Sequence, residues 1–95
     1  MQFEWDSDKA ALNLEKHGIC FEVAALVFLD DSRLTAIDDR FDYGEDRMIT
    51  LGHIEERLHV VVYTRIQDTI RIISARKANK REQARYANSE DDTRP

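Results

Sequence analysis

The sequence predicts an α+β domain with two N-terminal helices, a four-stranded antiparallel sheet and a closing basic helix. Apolar residues recur at helical spacing up to Phe28, the pattern turns strand-like after Arg33, and helix formers mixed with cations return after Lys77. Helices and strands are grouped along the chain rather than alternating, which separates this class from a parallel α/β fold.

The elements follow in order. Phe3-Glu4-Trp5 is a short extended entry, after which Asp6 or Ser7 can cap a helix running from Lys9 to His17. Gly18 is placed to end that helix in the left-handed conformation. Phe21, Ala24, Ala25 and Phe28 recur at i, i+3, i+4 and i+7, one face of a second helix that stops at Asp30-Asp31-Ser32. Strands are predicted at Leu34–Ile37, Arg47–Gly52, Leu58–Thr64 and Thr69–Ala75, joined as a meander. Val60-Val61-Val62 and Ile70, Ile72, Ile73 carry apolar side chains on both alternations, as central strands buried on both faces do. Lys77–Tyr86 is the closing basic helix. Residues 1–88 thus form one domain, and 89–95 an acidic, frayed tail.

Composition narrows the function classes. A chain of 95 residues supports one core and not two, and 42% hydrophobic with 35% charged residues is the balance of an ordered globular domain. The apolar run at Ala24–Leu29 is far short of the roughly 20 residues needed to cross a bilayer, and the start lacks a basic region followed by an apolar stretch. A cytoplasmic protein without membrane contact is expected. The single Cys20 has no cysteine to pair with and no metal-ligand spacing around it, so neither a disulfide nor a structural metal is expected.

The formal net charge of −5 conceals a strong asymmetry. Between Arg71 and Arg85 the six cations Arg71, Arg76, Lys77, Lys80, Arg81 and Arg85 face a single acid, Glu82, whereas Asp30–Arg47 holds seven acids against three arginines. The basic segment suits phosphate, because guanidinium groups make paired charge-assisted hydrogen bonds and stay charged at any working pH. It suits an acidic protein partner equally well. Regular pleating points Arg71 and Arg76 to opposite faces unless a bulge intervenes, and Arg76 is the favoured member.

Lys9, Asn13, Lys16 and His17 form a polar stripe on the first helix. Such a stripe can hold phosphate and, through a histidine that titrates near neutrality, shuttle a proton; it can also be a plain solvated helix face. Arg65, Glu82 and Tyr86 complete the candidates: an arginine past the third strand, a carboxylate able to act as base, and a phenol one helical turn beyond it. Glu82 equally suits an ion pair, and Tyr86 equally packs on the sheet. His53 and His59 read as strand-surface residues, and the acidic stretch from Asp30 to Asp46 as solvated loop without a calcium-binding pattern.

No Gly-rich phosphate loop, nucleophile elbow or Cys/His pair is present, which removes nucleotide-dependent enzymes and acyl-transfer hydrolases, and no cofactor is called for. Metal-free RNA cleavage survives. The 2′-hydroxyl of RNA is its own nucleophile, so the protein need supply only proton transfer and cations.

Several stretches together resemble the BrnT family: Phe3-Glu4-Trp5-Asp6, Lys16-His17-Gly18 with Phe21-Glu22, Gly44-Glu45-Asp46-Arg47, Gly52, Val62-Tyr63-Thr64 and Arg71-Ile72-Ile73-Ser74-Ala75-Arg76-Lys77-Ala78. Their order and spacing, from residue 3 to about residue 86, carry the likeness more than any one of them does. The resemblance implies a RelE-like endoribonuclease toxin that inhibits translation by cutting RNA. It also implies a BrnA-type antitoxin partner, through which alone operator DNA would be reached. By position it places active-site groups on Lys16, His17, Arg76 and the arginine after the third strand; Lys9 of the first helix's stripe and Arg71, Lys77, Lys80 and Arg81 of the basic segment are the further candidates for RNA binding, from their charge.

One departure stands out. Many relatives read Thr-x-Arg at the end of the third strand, whereas this chain reads Thr64-Arg65-Ile66. A one-residue shift in a regular strand turns the side chain to the other face, unless a turn restores its direction. Two further readings therefore stay open: an RNA- or partner-binding module that keeps the fold without cleavage, and an adaptor docked through its basic helix.

Overall fold

The computed structural model describes residues 1–38 and 46–92. The acidic positions Asp39, Asp42 and Glu45, the Gly44-Glu45 part of the family resemblance and residues 93–95 of the tail lie outside the described residues.

Strand β1 (Gln2–Glu4) is followed by helix α1 (Ser7–His17), the single helical turn α2 (Phe21–Ala24) and a 3₁₀ segment (Ala25–Leu29). Then come β2 (Leu34–Asp38), β3 (Arg47–Ile54), β4 (Arg57–Ile66), β5 (Thr69–Lys77) and helix α3 (Lys80–Asp92). The five strands form one sheet in the order β1-β5-β4-β3-β2. Pairing is antiparallel throughout β2 to β5, but β1 lies parallel to β5, with Phe3 opposite Ile70. The expected four-stranded antiparallel sheet is therefore a five-stranded mixed one. Three residues are too few to show alternation, and their partner strand lies more than sixty positions away.

Helix α1 forms as its ends require. Asp6 accepts from the amides of Asp8 and Lys9 at 2.8 and 3.2 Å, and these bonds, that of Lys9 foremost, hold its carboxyl below the ordinary value. Gly18 closes the helix at φ +71°, its amide bonded to the Leu14 carbonyl.

The second predicted helix tightens after one turn. Its buried residues are Phe21, Ala24 and Val27, spaced every three, which is the 3₁₀ period rather than the α period. Gly52 of β3 is the reason the segment can lie flat on the sheet: a Cβ there would stand 2.5 Å from Val27 Cγ2 and 3.1 Å from the Val27 carbonyl oxygen. Only glycine admits that approach.

The sheet is buried on two sides. One face packs Val61, Tyr63, Ile70, Ile72 and Ala75 against Phe21, Ala24 and Val27, with Trp5 edge-on to Phe21. The other packs Leu51, Leu58 and Val60 against Ala78 and Tyr86, which brings in α3. Lys77, expected to open that helix, instead ends β5 opposite His59, and α3 starts at Lys80 and continues to Asp92, beyond its expected end at Tyr86. A reciprocal capping box starts it: Asn79 Oδ1 accepts from Glu82 N at 2.8 Å while Glu82 Oε1 accepts from Asn79 N at 2.9 Å.

Candidate active site

The site begins at an edge-strand problem. β1 pairs with only Thr69–Arg71 of β5, so the outer edge of β5 beyond that point needs other partners. Asn13 supplies them. Its Oδ1 accepts from Ala75 N at 3.0 Å and its Nδ2 donates to Ala75 O and Ile19 O, each at 2.9 Å. A side-chain amide can donate and accept at once, as a strand does. Asn13 is 6% exposed, so at this position the polar stripe is not a solvated helix face. It fastens α1 along β5.

With α1 held there, Lys9, Lys16 and His17 do share a surface. They line a groove of about 640 Å³ together with Leu12, Asn13 and Glu15 of α1 and with Ile73 and Ser74 of β5. His17 is half-buried and the two lysines are exposed. Lys16 and His17 stand in the last turn of α1, where the helix dipole favours positive charge.

A β-bulge sets the other half. Val62 pairs with Ser74 but Tyr63 with Ile72, leaving Ile73 as the extra residue in β5. Arg71 lies opposite Thr64 and Arg76 opposite Val60, four positions apart on β4, so both arginines are on the same face of the sheet. The exception that regular pleating allowed is thus realised, and the same bulge brings Ile73 and Ser74 into the groove.

A family model described as "Ribonuclease toxin, BrnT, of type II toxin-antitoxin system" matches residues 5–82. The chain belongs to the BrnT family. A comparison with curated proteins finds no match. The matched BrnT region contains every residue that lines the groove, and beyond them Arg76, which does not line it, and the first turn of α3. Membership brings with it the ribonuclease class, an RNA substrate and an antitoxin partner at the level of the family.

Other BrnT candidates fall elsewhere. Arg65 lies opposite Ile70, on the face away from Arg71 and Arg76, and its Nε donates to the Gln67 carbonyl at 3.1 Å. It lies five positions from Val60, the partner of Arg76, roughly 17 Å along the strand. No turn redirects it, since β4 continues through Ile66. The structure does not bring Arg65 to the groove.

Glu82 clasps Arg76 with both oxygens, Nη1 to Oε1 and Nη2 to Oε2, each at 2.8 Å. This pairing, above all, holds the Glu82 carboxyl below its ordinary value of 4.5, away from the range of a base poised near neutrality. Tyr86 is buried and donates to Asp30 Oδ2, which places it in the packing of α3 and not in the groove. Lys80 and Arg81 are exposed on α3, and Lys77 is exposed at the end of β5. His59 departs from the surface reading: it is 7% exposed, its Nδ1 lies 2.8 Å from the Arg57 carbonyl, and burial pushes its pKa down. His53 is exposed as expected.

Sequence reasoning names Ile73, Ser74 and Asp30 without marking any of them as a functional or anchoring residue. The Ile72-Ile73 pair carries the only local sign of a bulge, an apolar doublet that breaks alternation. Among the described residues no three His, Cys, Asp or Glu side chains are grouped to hold a metal ion, and no helix is long and apolar enough to cross a membrane.

Proposed function

We propose that this chain is a metal-independent endoribonuclease toxin with a RelE-like fold that acts in the cytoplasm and inhibits translation by cutting RNA. The observation that carries the reading is the convergence of Lys9, Lys16 and His17 on one groove beside the bulge of β5. Lys9 and Lys16 hold the backbone phosphate there. His17 handles proton transfer, and Arg76, two positions beyond Ser74, offsets the charge that develops on phosphorus-bound oxygens. In the reaction the 2′-oxygen forms a bond to phosphorus as it loses its proton, the bond to the 5′-oxygen breaks, and that oxygen takes up a proton. The products are a 2′,3′-cyclic phosphate and a 5′-hydroxyl, and every step is within reach of acid–base groups and cations. Arg71, Lys77, Lys80 and Arg81 extend RNA contact beyond the groove. A BrnA-type antitoxin neutralises the toxin by covering the basic surface of β5 and α3, and operator DNA is reached only through that partner.

The position of Arg65 favours a second reading, a module that retains the BrnT fold and binds RNA or a partner without cutting. One experiment separates the two. Pure protein freed of any partner is incubated with naked RNA in excess EDTA, and the expected result is cleavage with cyclic-phosphate ends. Intact RNA supports the binding module; cleavage lost to EDTA and restored by a divalent cation, or products with 5′-phosphates, overturns the proposed mechanism.

A further inference from the structure

Arginine stabilises a developing phosphate charge well only if its guanidinium is already aimed when the charge appears, because reorientation during the reaction costs what the contact would contribute. A free arginine on its flexible three-carbon stem does not meet that condition, but Arg76 is held. Glu82 accepts from both Nη1 and Nη2 at 2.8 Å, an end-on clasp that fixes the plane of the guanidinium, and Nη1 also donates to the Lys77 carbonyl at 3.3 Å.

Glu82 is itself prevented from swinging away. Its Oε1 accepts from the Asn79 amide at 2.9 Å while its own amide donates to Asn79 Oδ1 at 2.8 Å, so the carboxylate that clasps Arg76 is one arm of the capping box at the start of α3. The Glu82 side chain is 19% exposed and that of Arg76 38%, which leaves the clasp partly shielded from screening water.

We propose that Glu82 is a positioning residue for Arg76, transmitting the fixed geometry of the α3 cap to its guanidinium. The inference rests on the assignment of Arg76 to phosphate stabilisation made above. It gives Glu82 no contact with RNA and no proton-transfer role.

Glu82→Gln is the informative variant, because glutamine keeps the capping box and loses the charged clasp. Melting temperature and helix content should stay near wild type, kcat on naked RNA should fall by about ten- to a hundredfold with KM little changed, and the shape of the pH profile should persist. In an Arg76→Ala background the same substitution should cost nothing further, because its effect runs through Arg76. In ¹⁵N spectra, exchange between the Arg76 Nη signals should become faster than in the wild type when Glu82 is replaced. Wild-type kcat in Glu82→Gln, an equal loss in the Arg76→Ala background, loss of one limb of the pH profile, or unaltered Nη signals would each overturn the proposal. Full activity in Arg76→Ala, or no cleavage by the wild type, overturns the parent assignment together with it, and the Nη signals still report whether the clasp itself exists.

Discussion

Tyr86 and Asp30 are joined across 56 positions by a 2.7 Å hydrogen bond from the phenolic hydroxyl to Oδ2. The same carboxylate accepts from the backbone amides of His53 at 2.8 Å and Ser32 at 2.9 Å, and the His53 ring stands edge-on to that of Tyr86 at 4.8 Å. Asp30 therefore ties α3, β3 and the turn before β2 at one point. Tyr86→Phe keeps the ring packing and removes one bond to a charged acceptor, with an expected loss of about 1.5–3 kcal/mol. Asp30→Ala should cost more, since two backbone amides lose their acceptor as well. Denaturant titrations that place Asp30→Ala at or above the stability of Tyr86→Phe would reject this account.

Stability should depend on pH in two separate windows. Burial pushes the His59 pKa down from 6.5, so the unfolded chain binds the proton first, and this contribution to stability is lost as pH falls below about 6.5. Glu82 and Asp30 are also lowered: Glu82 chiefly by Arg76, and Asp30 because its hydrogen bonds together outweigh a desolvation that alone would raise it. Their contribution is full above the ordinary carboxylate values of 4.5 and 3.8 and is lost as pH falls through their folded values. Unfolding free energy measured against pH should show both declines on acidification, and His59→Gln should remove the upper one alone. Persistence of the upper decline in that variant would assign it to another group.

Asn13 should tolerate no replacement. Asn13→Ala strands Ala75 N, Ala75 O and Ile19 O in a buried position, with an expected cost of at least about 3 kcal/mol at 1–3 kcal/mol for each such group. Asn13→Asp should be worse, because it turns a carboxylate toward two carbonyl oxygens. Amide exchange at Ala75 should accelerate ahead of the rest of β5, and unchanged protection there would show that another group seals the edge.

His17→Ala and Arg76→Ala distinguish chemistry from surface. Both should stay folded, with His17→Ala within about 0.5 kcal/mol of wild type. Loss of a proton-transfer group lowers rate by about 10²–10⁴ and loss of a charge-stabilising group by about 10²–10³, so RNA cleavage and growth inhibition should largely disappear. Cleavage at the wild-type rate by both variants would return these residues to the solvated surface.

Lys80→Glu combined with Arg81→Glu reverses two exposed charges on α3 while leaving the Asn79–Glu82 cap in place. Antitoxin affinity should fall by at least about tenfold, with most of the loss removed at high salt. Unchanged affinity would place the antitoxin on another surface.

Local chemistry is what the sequence makes legible. Asp6 and Gly18 announce α1 because a cap acts within one helical turn, and the apolar runs of β4 and β5 announce central strands because side-chain alternation is a nearest-neighbour property. Lys9, Lys16 and His17 could be grouped for the same reason, as they lie about two turns apart along one side of a single helix. What tertiary structure alone decided is everything that depends on a distant partner: the parallel docking of β1, the seal that Asn13 places on Ala75, the burial of His59 and the anchoring of α3 by Asp30. The faces of the arginines belong here too. One extra residue at Ile73 aligns Arg71 with Arg76. Continuous pairing through Ile66 sends Arg65 the other way. Whether a strand bulges is settled by the strand beside it and the helix packed on it, and the Ile72-Ile73 doublet, equally the pattern of a strand buried on both faces, does not by itself fix it.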